Sequence, residues 1–427
     1  YLTANFRADG SSKLAPGHKW GFFPSVSAAW RLSGEPWLSD VSWINDLKLR
    51  AGWGQLGNQA GLADYAWVEK YSITYYDYTK PEYADAIPTL GSLSAMGNTD
   101  LTWETTNQAN VGVDLSLFGG RLNMTLDGYY KYTTDLLLNV PLPSTAKVGS
   151  IYRNEGEMSN WGLEFSLSST NIDTKNFYWN TDFNISMNRN RLENLKLQKI
   201  YYFAGTSDQQ GRESVIRMEE GHPLSQFYGY VSRGVDPQTG NIIYEDRNSD
   251  GRITDADKTW IGDANPDFTF GLTNTLTWKG LSLSFLITGS VGNDIYNASR
   301  VELVSMNNGY NQITDVLRRW RAPGDVTDMP RAGGTDNLKV SSRFVEDGSY
   351  VKLKNLTLSY NIQHPSLKKV HLSSIKPYIT CGNLLTLTKY SGYDPEVSEY
   401  TSATKMGVDW GSYPNVKTFI FGVNVEF

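Results

Sequence analysis

Apolar residues recur at every second position along almost the whole of this chain, and no other feature narrows its fold as far. Val26, Ala28, Trp30 and Leu32 alternate with Ser25, Ser27, Ala29 and Arg31, and Leu47, Leu49, Ala51 and Trp53 with Lys48, Arg50 and Gly52. Val111, Val113, Leu115 and Leu117 lead through Gly119-Gly120 into Leu122, Met124, Leu126, Gly128 and Tyr130, whose opposite face is polar apart from Tyr129. So short a glycine connection predicts a hairpin. A second hairpin is predicted across Lys279-Gly280, and the chain closes on Phe419, Phe421, Val423, Val425 and Phe427. Val351 and Leu353 pass into Leu356, Leu358 and Tyr360 with a one-residue slip of phase, which predicts a bulge. The reading is all-β and antiparallel, with roughly 13 to 14 strands, many of about 10 residues, the length of a tilted membrane strand.

Strands with one apolar face also suit a soluble sandwich or a propeller. Against these, no period of about 40 to 50 residues repeats. Short turns alternate with long polar insertions, about 192–267 and 293–347, and Trp, Tyr and Phe gather toward strand ends as interfacial girdles do. The chain is 13% aromatic yet only 40% hydrophobic, with 39 Gly. No run of about 18 apolar residues offers a transmembrane helix, which leaves a β-barrel open. An antiparallel transmembrane β-barrel of the outer-membrane type is therefore the expected fold, larger at 427 residues than one ordinary globular core. A net charge of −6 argues against nucleic acid. The single cysteine, Cys381, excludes an internal disulfide framework and a cysteine zinc site. Tyr1 already stands in an alternating run (Leu2, Ala4, Phe6), which reads as a segment preceded by more chain.

The most specific chemical motif is Asp246 to Asp257, D-x-N-x-D-G-x-I-x-x-x-D, the spacing of an EF-hand calcium loop with Asp in place of the final Glu. Asp246, Asn248 and Asp250 supply side-chain oxygens, Arg252 its carbonyl, and Asp257 closes the ring. Gly251 permits the sharp turn, and Ile253 anchors the loop. A structural calcium ion is expected on these residues, on a strand scaffold, since a strand pattern and no helix follows.

Nothing in the chain argues for catalysis, so it is expected not to be an enzyme. Gly52-Trp53-Gly54-Gln55-Leu56-Gly57 spells G-x-G-x-x-G, but without the helix that a dinucleotide site needs. The four histidines show no ligand spacing, and no G-x-S-x-G elbow or P-loop is present. Ile313, Val316, Leu317 and Trp320 fall at helical spacing inside the second insertion.

Several segments together resemble SusC-like TonB-dependent transporters. They are Phe6-Arg7-Ala8-Asp9-Gly10-Ser11-Ser12, Trp20-Gly21-Phe22-Phe23-Pro24-Ser25-Val26, Leu47-Lys48-Leu49-Arg50-Ala51 with Gly57-Asn58, and Leu101-Thr102-Trp103-Glu104-Thr105-Thr106. Asn154-Glu155-Gly156 before Gly162-Leu163-Glu164, Phe227-Tyr228-Gly229-Tyr230, and Asp347-Gly348-Ser349-Tyr350-Val351-Lys352-Leu353-Lys354-Asn355 continue the match in the family's order. The resemblance implies a barrel of about 22 strands in the Gram-negative outer membrane, with an N-terminal plug, a SusD-like lipoprotein lid and energy from TonB. The implied activity is active import of oligosaccharides or, in some relatives, peptides. This chain corresponds to the C-terminal part of that barrel; plug, TonB box and first strands are not in it. An N-terminal companion segment must then close the barrel in lipid. A passive porin and a calcium-binding surface adhesin are the alternatives. Tyr75, Tyr76 and Tyr78 suit sugar stacking and a membrane girdle alike, which leaves the cargo open.

Overall fold

Twelve of the alternating segments pair in chain order into a single antiparallel meander. In this computed structural model, which describes all residues except 77–86, 144, 197–199, 206–213, 308 and 398–403, the strands are β1 (Leu2–Gly10), β2 (Trp20–Arg31), β3 (Ile44–Asn58), β4 (Glu104–Leu117), β5 (Leu122–Pro141), β6 (Ser150–Asp173), β7 (Phe177–Leu195), β8 (Phe268–Trp278), β9 (Leu281–Val291), β10 (Tyr350–Tyr360), β11 (Ser374–Thr388) and β12 (Thr418–Glu426). The alternation suggested one or two strands more. The remaining described strands are short ladders inside the loops, such as Lys70–Tyr76 with Ile87–Ala95. Among the described residues β1 and β12 do not pair with each other, so the sheet is an open segment of barrel wall. Among the described residues no helix is long and apolar enough to cross a membrane.

Register turns the period-two pattern into two chemically opposite faces. Leu47, Leu115, Met124, Leu167, Phe183, Leu272, Ile287, Leu353 and Leu385 pair one to the next in an unbroken row from β3 to β11. One residue along, the row reads Lys48, Asp114, Thr125, Ser166, Asn184, Gly271, Thr288, Lys352 and Thr386. The apolar face lies open: Phe6, Phe22, Val111, Leu163 and Phe421 are all exposed. The polar face carries its own ion pairs, with Asp114 at 2.9 Å from both Lys48 and Arg50, and Arg50 reaching Asp127 at 3.0 Å.

The predicted hairpins form. Leu117 pairs with Leu122 around Gly119 and Gly120, whose φ of 70° and 80° only glycine adopts freely. Lys279 and Gly280 both take positive φ, the primed turn that suits a two-residue connection. The predicted bulge falls between Leu353 and Asn355. Gly52, Gly54 and Gly57 lie within β3, not before a helix. A Cβ on Gly57 would sit 2.0 Å from the Phe23 ring, so that glycine serves close packing.

From β3 onward, connections alternate in length along the meander. One end carries 32–43, 118–121, 174–176, 279–280 and 361–373; the other carries 11–19, 59–103, 142–149, 196–267, 292–349 and 389–417. Strand β7 runs to Leu195, slightly into the insertion expected to begin near 192. Exposed aromatics mark the apolar face: Trp30, Trp43, Phe118, Trp278 and Tyr360 near the short turns, Trp20 and Phe22 near the 11–19 loop, and the paired Tyr130 and Trp161 midway along β5 and β6. Trp43 and Phe118 stack at 6.4 Å.

Candidate functional site

The long loops 196–267, 292–349 and 389–417 fold together over one end of the wall around a core of ordinary globular kind. Phe227 comes from the first, Tyr296 and Phe344 from the second, and Val408 from the third, each fully buried. Tyr296 lies 6.0 Å from Phe227 and 6.2 Å from Phe344, ring to ring, in tilted and edge-on geometry. Its strand Asp294–Asn297 pairs antiparallel with Val345–Asp347 and parallel with Val408–Asp409, so backbone ladders join the second loop to the third.

Ion pairs fasten the third loop to the wall. The Lys352 side chain, on the polar face of β10, is 1% exposed and holds Asp394 and Glu396, the latter at 2.9 Å. Lys354 reaches Glu396 at 2.6 Å. Asn415 donates its N–H to Asp394 at 3.0 Å and its side-chain amide to Glu396 at 2.8 Å. Burial pushes both carboxyls up, but the Lys352 ammonium and neighbouring N–H groups at Asp394, and Lys354 and Lys352 at Glu396, more than offset it and hold both below the usual range. Nearby, the Tyr390 hydroxyl donates to Asp409 at 2.5 Å, and burial followed by that carboxylate pushes the phenol up. Sequence reasoning did not find this anchor. Its signal is two matching period-two spacings, Lys352-x-Lys354 and Asp394-x-Glu396.

Asp246, Asn248, Asp250, Arg252 and Asp257 come together in one turn. Ser249 (φ 59°) and Gly251 (φ 79°) make the reversal, and Ile253 packs on Tyr230, Ile242 and Tyr244. Each acidic side chain in it accepts N–H donors. Asp246 takes those of Asp250 (3.2 Å) and Gly251 (2.8 Å), and Asp250 that of Arg252 (2.8 Å). Asp257 is buried and takes those of Arg247 (2.9 Å) and Thr254 (2.7 Å). The Thr254 N–H foremost, with those of Arg247 and Asn248, holds the Asp257 carboxyl below its usual range despite burial. Among the described residues no three His, Cys, Asp or Glu side chains gather as a metal site. The donor types suit a hard cation, and closing on one would draw Asp257 away from its N–H partners.

The model of the TonB dependent receptor-like β-barrel family matches residues 1–375. The chain belongs to this family. It is 35% identical to TonB-dependent receptor P3 of Formosa agariphila, covering 100% of this chain and 44% of that protein. It is 30% identical to TonB-dependent receptor SusC of Bacteroides thetaiotaomicron, covering 100% and 42%. Among solved structures it superposes on the RagAB peptide transporter with a TM-score of 0.86 at 27% identity, covering 100% of this chain and 46% of that one. The chain thus spans less than half the length of the relatives it matches.

As a TonB-dependent receptor barrel segment the protein lies in the outer membrane, with the apolar face of β1–β12 toward lipid. By the usual topology of such barrels the long loops are extracellular and the short turns periplasmic. Facing the lumen, Arg7, Phe23, Ser25, Gly52, Gln108 and Asn110 help line a groove of about 420 Å³. In the extracellular assembly the expected helix at 313–320 is a 3-10 turn, Thr314–Arg318. Ile313 and Val316 pack on the core while Leu317 is exposed, and the Trp320 indole donates to the Pro237 carbonyl at 2.8 Å. His222 stacks on Trp260 at 4.1 Å. Tyr78 lies outside the described residues, and for Tyr75 and Tyr76 only the strand backbone is described.

Proposed function

We propose that this chain forms part of the wall and outer surface of an active outer-membrane importer, energised through TonB, whose cargo is an oligosaccharide or a peptide. What carries the reading is the pairing of a lipid-compatible outer face with a polar, ion-paired inner face under a folded cap of extracellular loops. Membership of a TonB-dependent family favours active import over a passive porin. The peptide option is supported by the similarity to the RagAB peptide transporter, the oligosaccharide option by the resemblance of the sequence segments to SusC-like transporters. Further strands and a plug in the whole receptor are part of the proposal, because an open sheet edge in lipid leaves backbone groups without partners. Uptake of labelled oligosaccharides and peptides by cells carrying the whole receptor tests it. Import that stops when TonB is deleted is expected; import indifferent to TonB overturns the reading.

A SusD-like lipoprotein is proposed to dock on the extracellular assembly, where Tyr310, Leu317, Val326 and Tyr413 stand exposed. It should co-purify in mild detergent, and a receptor isolated alone under those conditions counts against it. Calcium on Asp246, Asn248, Asp250, Arg252 and Asp257 is proposed as a structural ion, supported by the loop spacing and its oxygen-only donors. Titration calorimetry should show one site of about 10⁻⁴ to 10⁻³ M, as in extracellular modules, lost in Asp250→Ala.

A further inference from the structure

Register brings two arginines onto the lipid-facing side of the wall, at the edge of the bilayer. Val26, Trp53, Ala109, Tyr130, Trp161 and Arg189 pair one to the next across β2–β7. The row beneath, Val111, Gly128, Leu163 and Met187, has no polar side chain. Phe177 to Met187 is the length a tilted strand needs to cross the hydrocarbon, so Arg189, the next outward residue, stands at headgroup level beside Tyr130 and Trp161. One row further out Ser159 pairs with Arg191. Trp161, Arg189, Arg191, Gly221, Asp267 and Gly292 help line a hollow of about 360 Å³ there.

The carboxylates around the hollow are engaged. Asp267 holds Arg189 at 2.6 Å. Asp263 accepts the Gln226 side-chain amide at 2.9 Å and the Asn265 N–H at 2.8 Å, and Glu193 accepts the Ser159 hydroxyl. Arg191 differs. Its side chain is 61% exposed, and its carboxylate neighbour, Glu193, stands 3.9 Å away, beyond hydrogen-bonding reach. Its Nη2 lies over Gly221, 3.7 Å from where a Cβ would stand. Beneath the aromatic row Gly128 leaves a notch. Among the described residues a Cβ there would touch only Leu163, at 3.3 Å, and Val111, Leu126 and Leu163 around it are exposed.

We propose that this step on the wall binds one outer-leaflet lipid by its phosphate, with Arg191 on the phosphate and an acyl chain in the Gly128 notch. The guanidinium fork matches phosphate oxygens two at a time. Arg189 adds little, because Asp267 already neutralises it. A free phosphate ion would gain Arg191 alone, against the field of Asp263, Asp267 and Glu193. A lipid adds the burial of its chain on Val111, Leu126 and Leu163, which a free ion lacks. The site is on the outside of the wall, away from the lumen, and does not depend on what the receptor imports.

The test uses the whole receptor, including its N-terminal part, in maltoside detergent. Native mass spectrometry counts the lipid retained from added diphosphoryl lipid A and from the same glycolipid stripped of its phosphates. The phosphorylated form should be retained in preference. Arg191→Gln should weaken its retention about tenfold, the loss expected of one charge-assisted contact, and Arg191→Lys should weaken it less. Gly128→Leu, which fills the notch from an exposed face, should weaken it as well. Arg233→Gln, at an exposed position on the loops, should change nothing. Equal retention of the two lipids, retention unchanged in either Arg191→Gln or Gly128→Leu, or displacement by inorganic phosphate alone overturns the proposal. The comparison of the two lipids needs only the unmodified receptor, so it decides even where a variant assembles poorly.

Discussion

The barrel wall and the loop assembly solve the same hydrophobic problem in opposite directions. In the wall Val111, Leu163 and Phe421 point outward, and ion pairs such as Arg50 with Asp114 and Asp127 line the inside. In the loops Phe227, Tyr296 and Phe344 turn inward, and the carboxylates taken inside with them, Asp257 and Asp409, are held by hydrogen bonds. One chain does both because its two parts meet different solvents. Where lipid lies outside, outward apolar residues cost nothing, and the backbone ladder must satisfy every polar group. Where water lies on both sides, only burial stabilises the segments against their ordering entropy.

The sharpest way to break the comparison is to damage one region and watch the other. Phe344→Ala removes the centre of the loop core and should cost that assembly about 3–5 kcal/mol. Hydrogen exchange should rise across 214–229, 294–304 and 406–409 while β3–β9 stay protected. Equal loosening of the wall would show that the two regions are not separate. Lys352→Ala takes the cation from Asp394 and leaves Glu396 with Lys354 alone; with both carboxylates partly exposed it should cost about 2–3 kcal/mol, below the 3–5 of a fully buried pair, released as mobility of 389–417.

The same anchor sets a pH dependence. Asp394 and Glu396 have depressed values in the folded state, so their contribution is present above the ordinary 3.8 and 4.5. It is lost as pH falls below those values toward the folded ones. Proteolysis within 389–417 should therefore accelerate in acid below about pH 4, and Lys352→Ala should remove most of that acceleration. The reverse experiment places charge on the wall. Val111→Arg faces lipid and should cost about 2–4 kcal/mol near the bilayer middle, read as less assembled barrel. Val326→Arg, exposed on the loops, should cost nothing measurable. The smallest effect concerns the calcium-like turn. Thr254 caps the short 255–257 helix through the Ala256 N–H, so Thr254→Ala should lower local stability by about 0.5–2 kcal/mol.

The wall was legible in the sequence because its register is local: Leu47, Leu49, Ala51 and Trp53 declare their face without knowledge of the partner strand. Hairpins at Gly119-Gly120 and Lys279-Gly280 and the bulge near Leu353 follow from the same rule. The loop core was not legible. Its strands are two to six residues long, as at Val408–Asp409 and Ser214–Glu219, too short to show a period. Val408 meets Tyr296 across more than a hundred residues of chain, a pairing that no local pattern encodes. Trp320 misled the helix reading because its helical spacing from Ile313 is served by a 3-10 turn and a bond to Pro237. Lys352 has no local signal of its role; its chemistry depends on Asp394 and Glu396, in the next long loop.

The central claim, that alternate residues of one strand face lipid and water, is tested most directly by single-cysteine spin labels at positions 108 to 115 of β4 in the whole receptor in bilayers, with Cys381→Ser as background. Collision rates with oxygen, which partitions into lipid, and with a water-soluble nickel chelate are measured at each position. The account predicts high oxygen access at 109, 111, 113 and 115, high nickel access at 108, 110, 112 and 114, and the two patterns out of phase. Profiles without that two-residue phase, or nickel access at Val111 as high as at Asn110, would contradict it.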